Sequence, residues 1–103
     1  MLQRSLEIAP DSITYSNLGT LLYFQGRYPE ALSAFDRGVQ LGANTYLRWG
    51  NLADAARMVS GNRQKAHESY TRAIQLARER LSANADDTDA RSSLALYLIR
   101  DDR

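Results

Sequence analysis

The chain has 103 residues, enough for at most one ordinary domain, and its 44% hydrophobic and 24% charged residues exclude a disordered tail. Its formal net charge of +1 gives no bulk attraction to nucleic acid, and the absence of cysteine excludes disulfides, thiolate metal ligands and cysteine nucleophiles. No apolar run approaches the roughly 20 residues of a membrane-spanning helix, so we expect no direct membrane insertion.

Apolar residues recur every three or four positions along the chain, and no long alternating stretch interrupts them. This period is typical of α-helices with one buried face. We therefore predict an all-α protein with helices over about 2–9, 12–25, 29–41, 45–60, 63–83 and 88–100.

Residues that begin or end helices stand at the boundaries of the first three segments. Pro10 ends the first segment, and either Asp11 or Ser12 caps the second. Gly26 suits a left-handed helix end, and Pro29 suits the first turn of the next helix, where its missing N–H would be unpaired anyway.

The later boundaries carry similar residues. Gly42 ends the third segment, and either Asn44 or Thr45 caps the fourth. Gly61 ends the fourth segment, and Asn62 is predicted to cap the long fifth helix.

Residues 15–39 recur one motif length later in the chain. The pattern Tyr15-x-x-Leu18-Gly19 returns 34 positions later as Trp49-x-x-Leu52-Ala53. The pattern Ala31-x-x-x-Phe35-x-x-Gly38-Val39 returns 35 positions later as Ala66-x-x-x-Tyr70-x-x-Ala73-Ile74. A fixed period in this range predicts stacked supersecondary units rather than one closed globular core.

These motifs resemble the tetratricopeptide repeat (TPR) family, in which an aromatic residue and Leu-Gly on one helix precede Ala, an aromatic residue and Ala on the next. The first unit matches at Tyr15, Leu18, Gly19, Leu22, Gly26, Tyr28, Ala31, Phe35 and Gly38. The second matches at Trp49, Leu52, Ala53, Ala56, Gly61, Ala66, Tyr70 and Ala73. It departs from the family at Arg63, where an aromatic residue is usual, and by one inserted residue.

The resemblance implies a fold and a division of the chain. The fold is a right-handed superhelix of stacked antiparallel helix pairs, a TPR-like α-solenoid. Residues 1–10 would be the tail of a preceding repeat, 12–44 repeat 1, 45–84 repeat 2 with an extended second helix, and 87–103 the first helix of a further repeat. We therefore expect the chain to be a fragment of a longer array.

In such arrays the first helix of each pair lines a concave groove in which an extended peptide or a partner helix lies. The resemblance implies that the peptide-binding residues are Asn17, Thr20, Tyr23, Phe24, Asn51, Asp54, Arg57 and Met58. The same face would add Ile13, Ser16, Leu47 and Gly50, and the last helix would add Asp89, Ser92, Ser93 and Leu96.

Two features of this groove have alternative interpretations. Asn17 and Asn51 are 34 positions apart, so they would stack as a ladder that grips a peptide backbone; alternatively, asparagine is simply common at this position of the repeat. The apolar side chains of Tyr23, Phe24 and Met58 would anchor a ligand, or each would pack against a neighbouring helix.

Residues suited to catalysis or metal binding are sparse. His67 is the only histidine, and we interpret it as a solvated surface residue. The carboxylates of Asp86, Asp87 and Asp89 are of the kind that bind metals or transfer protons, but their place at a helix start favours capping. We therefore predict no catalytic residue, no metal site and no cofactor, and the chain is not expected to be an enzyme.

The predicted partners are proteins or peptides. The basic residues of the long helix alternate with Glu68 and Glu79, which is typical of a solvated face rather than of a nucleic-acid interface. We predict a non-catalytic protein–protein interaction module within a larger protein. The alternative is a structural spacer or self-association element of a larger regulatory or sensor protein, because the two terminal helices would have uncovered apolar faces. These faces carry Leu94, Tyr97, Leu98 and Ile99 on the last helix, and Leu2, Leu6 and Ile8 on the first.

Overall fold

The computed structural model describes residues 11–42 and 45–102, which form five α-helices. These are α1 (Ser12–Phe24), α2 (Tyr28–Gln40), α3 (Tyr46–Arg57), α4 (Arg63–Ala83) and α5 (Thr88–Arg100). No strand occurs within these two ranges, so the all-α prediction is confirmed for this part of the chain. The helix predicted over about 2–9 and the candidate cap Asn44 lie outside the described residues.

The helix starts are capped by three of the predicted residues. The side chains of Asp11, Thr45 and Asp87 each accept a hydrogen bond from the backbone N–H three positions later, at 2.8, 3.3 and 3.0 Å. These bonds from backbone N–H groups lower the pKa of the Asp11 carboxyl group and that of the Asp87 carboxyl group below the ordinary value for aspartate. The prediction for Asn62 is wrong: its side chain makes no capping bond and instead donates to the carbonyl oxygen of Ser60 at 3.2 Å.

Helix α3 is shorter than predicted, because it ends at Arg57 instead of near residue 60. Met58 is its C-terminal cap, and the Val59 N–H closes a tighter turn onto the carbonyl oxygen of Ala56 at 3.2 Å. The turn continues to Gly61, whose φ of 82° is left-handed and therefore strains any residue with a Cβ atom. Met58 consequently lies in the connection to α4 and not on the face of α3.

Each helix packs against the next one in the chain, most extensively within the pairs α1–α2 and α3–α4. The turns within these pairs are short, so the paired helices run in opposite directions. Helix α3 also touches both α1 and α5. The odd-numbered helices therefore form a row, and residues on corresponding faces of α1 and α3 come close together.

The core consists of two connected clusters. One lies among α1, α2 and α3 and contains Leu22, Phe35 and Leu52. The other lies among α3, α4 and α5 and is built around Tyr70 and Tyr97. Alanines fill most of the remaining core positions, namely Ala31, Ala34, Ala53, Ala55, Ala56, Ala66, Ala73, Ala77 and Ala90. Small residues let the helix axes approach closely, and the aromatic rings fill the space beside them.

Two helix contacts depend on glycine. A Cβ atom on Gly19 would lie 2.5 Å from the ring of Phe35, and one on Gly50 would overlap the ring of Tyr97. Gly50 is buried, so the prediction that it lines the groove is wrong. Its missing side chain is instead the space that the Tyr97 ring from α5 occupies.

Candidate binding groove

A cavity of about 340 Å³ opens between α1 and α3, beside the C-terminal end of α5. Six of the eight predicted groove residues line it, together with Phe35 and Arg100: Thr20, Tyr23 and Phe24 from α1, and Asn51, Asp54 and Arg57 from α3. They meet there because α1 touches α3, and Thr20 and Tyr23 have the positions in α1 that Asp54 and Arg57 have in α3, 34 residues later.

The other two predicted groove residues lie elsewhere. Asn17 is exposed on α1 and does not line the cavity. Met58 lines a larger neighbouring cavity, of about 1080 Å³, at the turn between α3 and α4. Asn51 thus reaches the groove cavity without Asn17, and the ladder of the two amides stays a prediction.

Aromatic rings form the α1 side of the groove cavity. Phe24 is 81% exposed, the largest fraction among the large apolar side chains that the structure describes. Its ring packs edge-on against Tyr23 with the centroids 6.0 Å apart, and Tyr23 in turn packs against Tyr28 at 5.2 Å. Tyr23 is therefore held in place while Phe24 leaves a wide apolar face open to solvent, which is an unfavourable arrangement unless a partner covers it.

Asp54 connects three helices from its place on α3. Its Oδ1 accepts a hydrogen bond from the Tyr70 hydroxyl of α4 at 2.5 Å, and its Oδ2 accepts one from Arg100 Nη1 of α5 at 2.8 Å. The Asp54 side chain is only 18% exposed. Both carboxylate oxygens thus have partners within the protein. The role of Asp54 in the groove is to hold Arg100 at the cavity wall.

Arg57 differs from Asp54 in having no such partner. Within residues 11–42 and 45–102 no ion pair or side-chain hydrogen bond involves Arg57. Arg57 and Arg100 each line both the groove cavity and the larger neighbouring cavity. They therefore form the wall between the two spaces, and only Arg100 is tied to the core.

His67 lies on the larger cavity and is less isolated than its sequence position suggests. Its Nδ1 is 2.9 Å from Asp101 Oδ2, and the Asp101 side chain is only 9% exposed. The prediction of a surface residue is correct in that 54% of the His67 side chain is exposed. The contact with Asp101 was not predicted, because these residues are far apart in the chain.

The sequence analysis also missed two residues of the groove cavity, Phe35 and Arg100. Phe35 is a core residue, only 4% exposed, that also lines the cavity. Arg100 follows Leu96 by one helical turn, so the face assigned to the last helix would have included it if extended by four residues.

The described residues also bear on metal binding and on membrane insertion. No group of three or more His, Asp or Glu side chains there is arranged to hold a metal ion. In the acidic stretch before α5, Asp87 caps the helix and also accepts from Arg80 Nε at 2.8 Å. None of the helices in these ranges has the length and apolar character required to cross a bilayer.

No model of a protein family matches the chain, and no curated protein matches it significantly. Three features of the chain itself therefore bear on its function: the repeated motifs, the row of odd-numbered helices and the groove cavity.

Proposed function

We propose that this chain is a TPR-like α-solenoid, a short right-handed superhelix of helix pairs, and that it acts as a non-catalytic protein–protein interaction module. The repeated motifs support this proposal, as does the row formed by α1, α3 and α5. The ligand is an extended peptide, or one face of a helix, that lies across this row.

The observation that carries the proposal is the meeting of three residues from α1 and three from α3 at one cavity. One side offers the apolar rings of Tyr23 and Phe24, and the other offers the side-chain amide of Asn51 and the guanidinium of Arg57. Peptide sites need such a combination, because apolar surfaces supply affinity while amides pair with the peptide backbone. The cavity volume of about 340 Å³ is suited to one or two side chains of a ligand.

Replacing Phe24 with alanine is expected to weaken peptide binding about tenfold, since a well-placed aromatic anchor contributes on the order of 1–2 kcal/mol. The ligands would be peptides selected on the purified wild-type chain from a random phage-displayed library. Dissociation constants of the resynthesised peptides would be measured by isothermal titration calorimetry.

The matched control is Ile99→Ala, which removes a side chain that is 73% exposed on α5 and does not line the groove cavity. An equal loss of affinity in both variants would contradict the groove proposal, as would a library that yields no binding peptide. A double variant, Asn17→Ala with Asn51→Ala, tests the ladder: unchanged affinity would rule it out.

The second candidate function is a structural spacer or self-association element. It is favoured by the exposed apolar side chains of Ile99 and Leu96 on α5, which are 73% and 45% exposed. Within the described ranges, α5 packs against α4 and touches α3 but no other helix. A second copy of the chain that covered this face would remove both side chains from water.

If this second function is correct, the purified chain will form dimers whose fraction rises with protein concentration, as measured by light scattering after size exclusion. Ile99→Asp is then expected to abolish dimers because it places a charge in the interface. Leu41→Asp makes the same change at a side chain that is 46% exposed after α2 and should leave dimers intact. A stable monomer at high concentration would contradict self-association.

A further inference from the structure

The charged side chains around the two adjoining cavities indicate what kind of peptide the groove would bind. The carboxylate of Asp54 is bound by Tyr70 and Arg100, and that of Asp101 lies 2.9 Å from His67. These two acidic groups already have partners inside the protein. They are therefore less available to a ligand than an unpaired charge would be.

The basic groups of the same region are more available. Arg57 and Arg63 both line the larger cavity, and the described residues offer neither of them an ion pair. Both side chains are exposed. The remaining charged residue of this wall is Asp102, which is exposed as well. Two guanidinium groups without an ion pair among the described residues thus line this cavity, and each can donate to an anionic side chain of a ligand.

Arg57 is the better placed of the two guanidinium groups, because it belongs to both cavities. It opposes the rise in the pKa of Tyr23 that burial causes, and it does the same at Tyr70. Its charge therefore acts beside the aromatic wall of the groove. A ligand that covers Phe24 and Tyr23 would pass next to Arg57.

We propose that the groove binds an acidic peptide in which an apolar side chain lies against Phe24 and Tyr23, and a neighbouring Asp or Glu side chain is bound by Arg57. This inference rests on the proposed peptide-binding function and specifies its ligand. A guanidinium group and a carboxylate form two parallel hydrogen bonds, which adds selectivity over an amide of the same shape. Arg63 attracts further acidic residues of the same peptide.

The experiment is a cycle of substitutions in both the peptide and the protein. Peptides selected on the wild-type chain are synthesised with amidated C-termini, and each Asp or Glu is replaced in turn by Asn or Gln. We expect one such replacement to weaken binding to the wild-type chain about tenfold. The Arg57→Gln variant should bind the acidic peptide about tenfold more weakly than the wild-type chain does. It should also bind the acidic and the neutral peptides with equal affinity.

Arg78→Gln is the matched control, because Arg78 is an exposed arginine on α4 that lines neither of these cavities; it should preserve the preference for the acidic peptide. Circular dichroism verifies that Arg57→Gln is folded, which is expected since Arg57 has no ion pair with another described residue.

Several outcomes would overturn the inference while leaving peptide binding established. These are equal affinity of acidic and neutral peptides for the wild-type chain, an equal loss for both peptides in Arg57→Gln, and a requirement for a free C-terminal carboxylate. If no selected peptide binds the wild-type chain at all, the proposed function fails and the acidic-ligand inference fails with it.

Discussion

Replacing Asp54 with alanine is expected to lower the free energy of unfolding by about 3 kcal/mol. The substitution removes two charge-assisted hydrogen bonds and leaves the hydroxyl of Tyr70, a residue only 1% exposed, without its acceptor. It also releases Arg100 from the cavity wall. In a chain of this size the melting temperature should fall by more than ~10 °C. Urea denaturation followed by circular dichroism measures the change.

Two further variants separate this effect from a general loss of charge. Asp54→Asn keeps one acceptor and gains a donor that can pair with the Tyr70 oxygen, so its cost is expected to be about 1 kcal/mol. It also keeps the measurement possible if the alanine variant does not fold. Asp36→Ala removes an ion pair with Lys65 at 3.2 Å whose members are 33% and 39% exposed, and should cost less than about 1 kcal/mol. Equal costs at Asp54 and Asp36 would show that the three-helix connection is unimportant.

Alkaline unfolding is the second large effect that we expect. Burial raises the pKa of Tyr97 from its ordinary value of 10.0 to about 12. Burial, with the hydrogen bond to Asp54, also raises the pKa of Tyr70 above its usual range. Because the folded state holds both phenols in the neutral form, their contribution to the free energy of unfolding is fully present below pH 10.0 and falls above it. The contribution of Tyr97 is lost as the pH rises through about 12. A tenfold change in proton affinity corresponds to about 1.4 kcal/mol, so Tyr97 alone accounts for a loss of roughly 2–3 kcal/mol in the free energy of unfolding.

The measurement is the free energy of unfolding in urea at intervals from pH 8 to about pH 12, compared between the wild-type chain and Tyr97→Phe. The phenylalanine keeps the buried ring and loses the hydroxyl, whose hydrogen bond to the carbonyl oxygen of Tyr46 is 3.4 Å long. Its stability should therefore fall less steeply above pH 10.0, the ordinary pKa of the lost phenol. Identical slopes in the two proteins would contradict a buried, neutral Tyr97.

The positions of the helices were largely predictable from local chemistry. The predicted segment 63–83 coincides with α4 (Arg63–Ala83), and the predicted segment 88–100 coincides with α5 (Thr88–Arg100). Apolar period and capping residues act over a few positions, so they can be read without knowledge of the fold. The prediction at Asn62 was wrong because an asparagine side chain can pair with several nearby backbone groups. Its choice of the Ser60 carbonyl depends on the path of the turn.

The groove was predictable in part for the same reason. Residues one repeat apart take corresponding positions on successive helices, and this placed Thr20 and Tyr23 of α1 at one cavity with their counterparts Asp54 and Arg57 of α3. Gly50 has the same kind of position but is buried, because a bulky ring from α5 fills the space above it. Whether a position on the groove face is open or covered depends on the neighbouring helix. That helix belongs to the next unit, so the repeat pattern of one unit gives no information about it.

The sequence by itself determined that the described part of this protein is helical, the approximate bounds of most of its helices, and which residues repeat at equivalent positions, because these properties arise from interactions within a few residues. Only the tertiary structure decided how the charges of the groove are partnered. Asp54 is bound by Tyr70 and Arg100, which lie 16 and 46 positions away, whereas Arg57, three residues after Asp54, has no partner within the described ranges. Such pairings depend on distances between helices, and they make Asp54 a structural residue and Arg57 the charge available to a ligand.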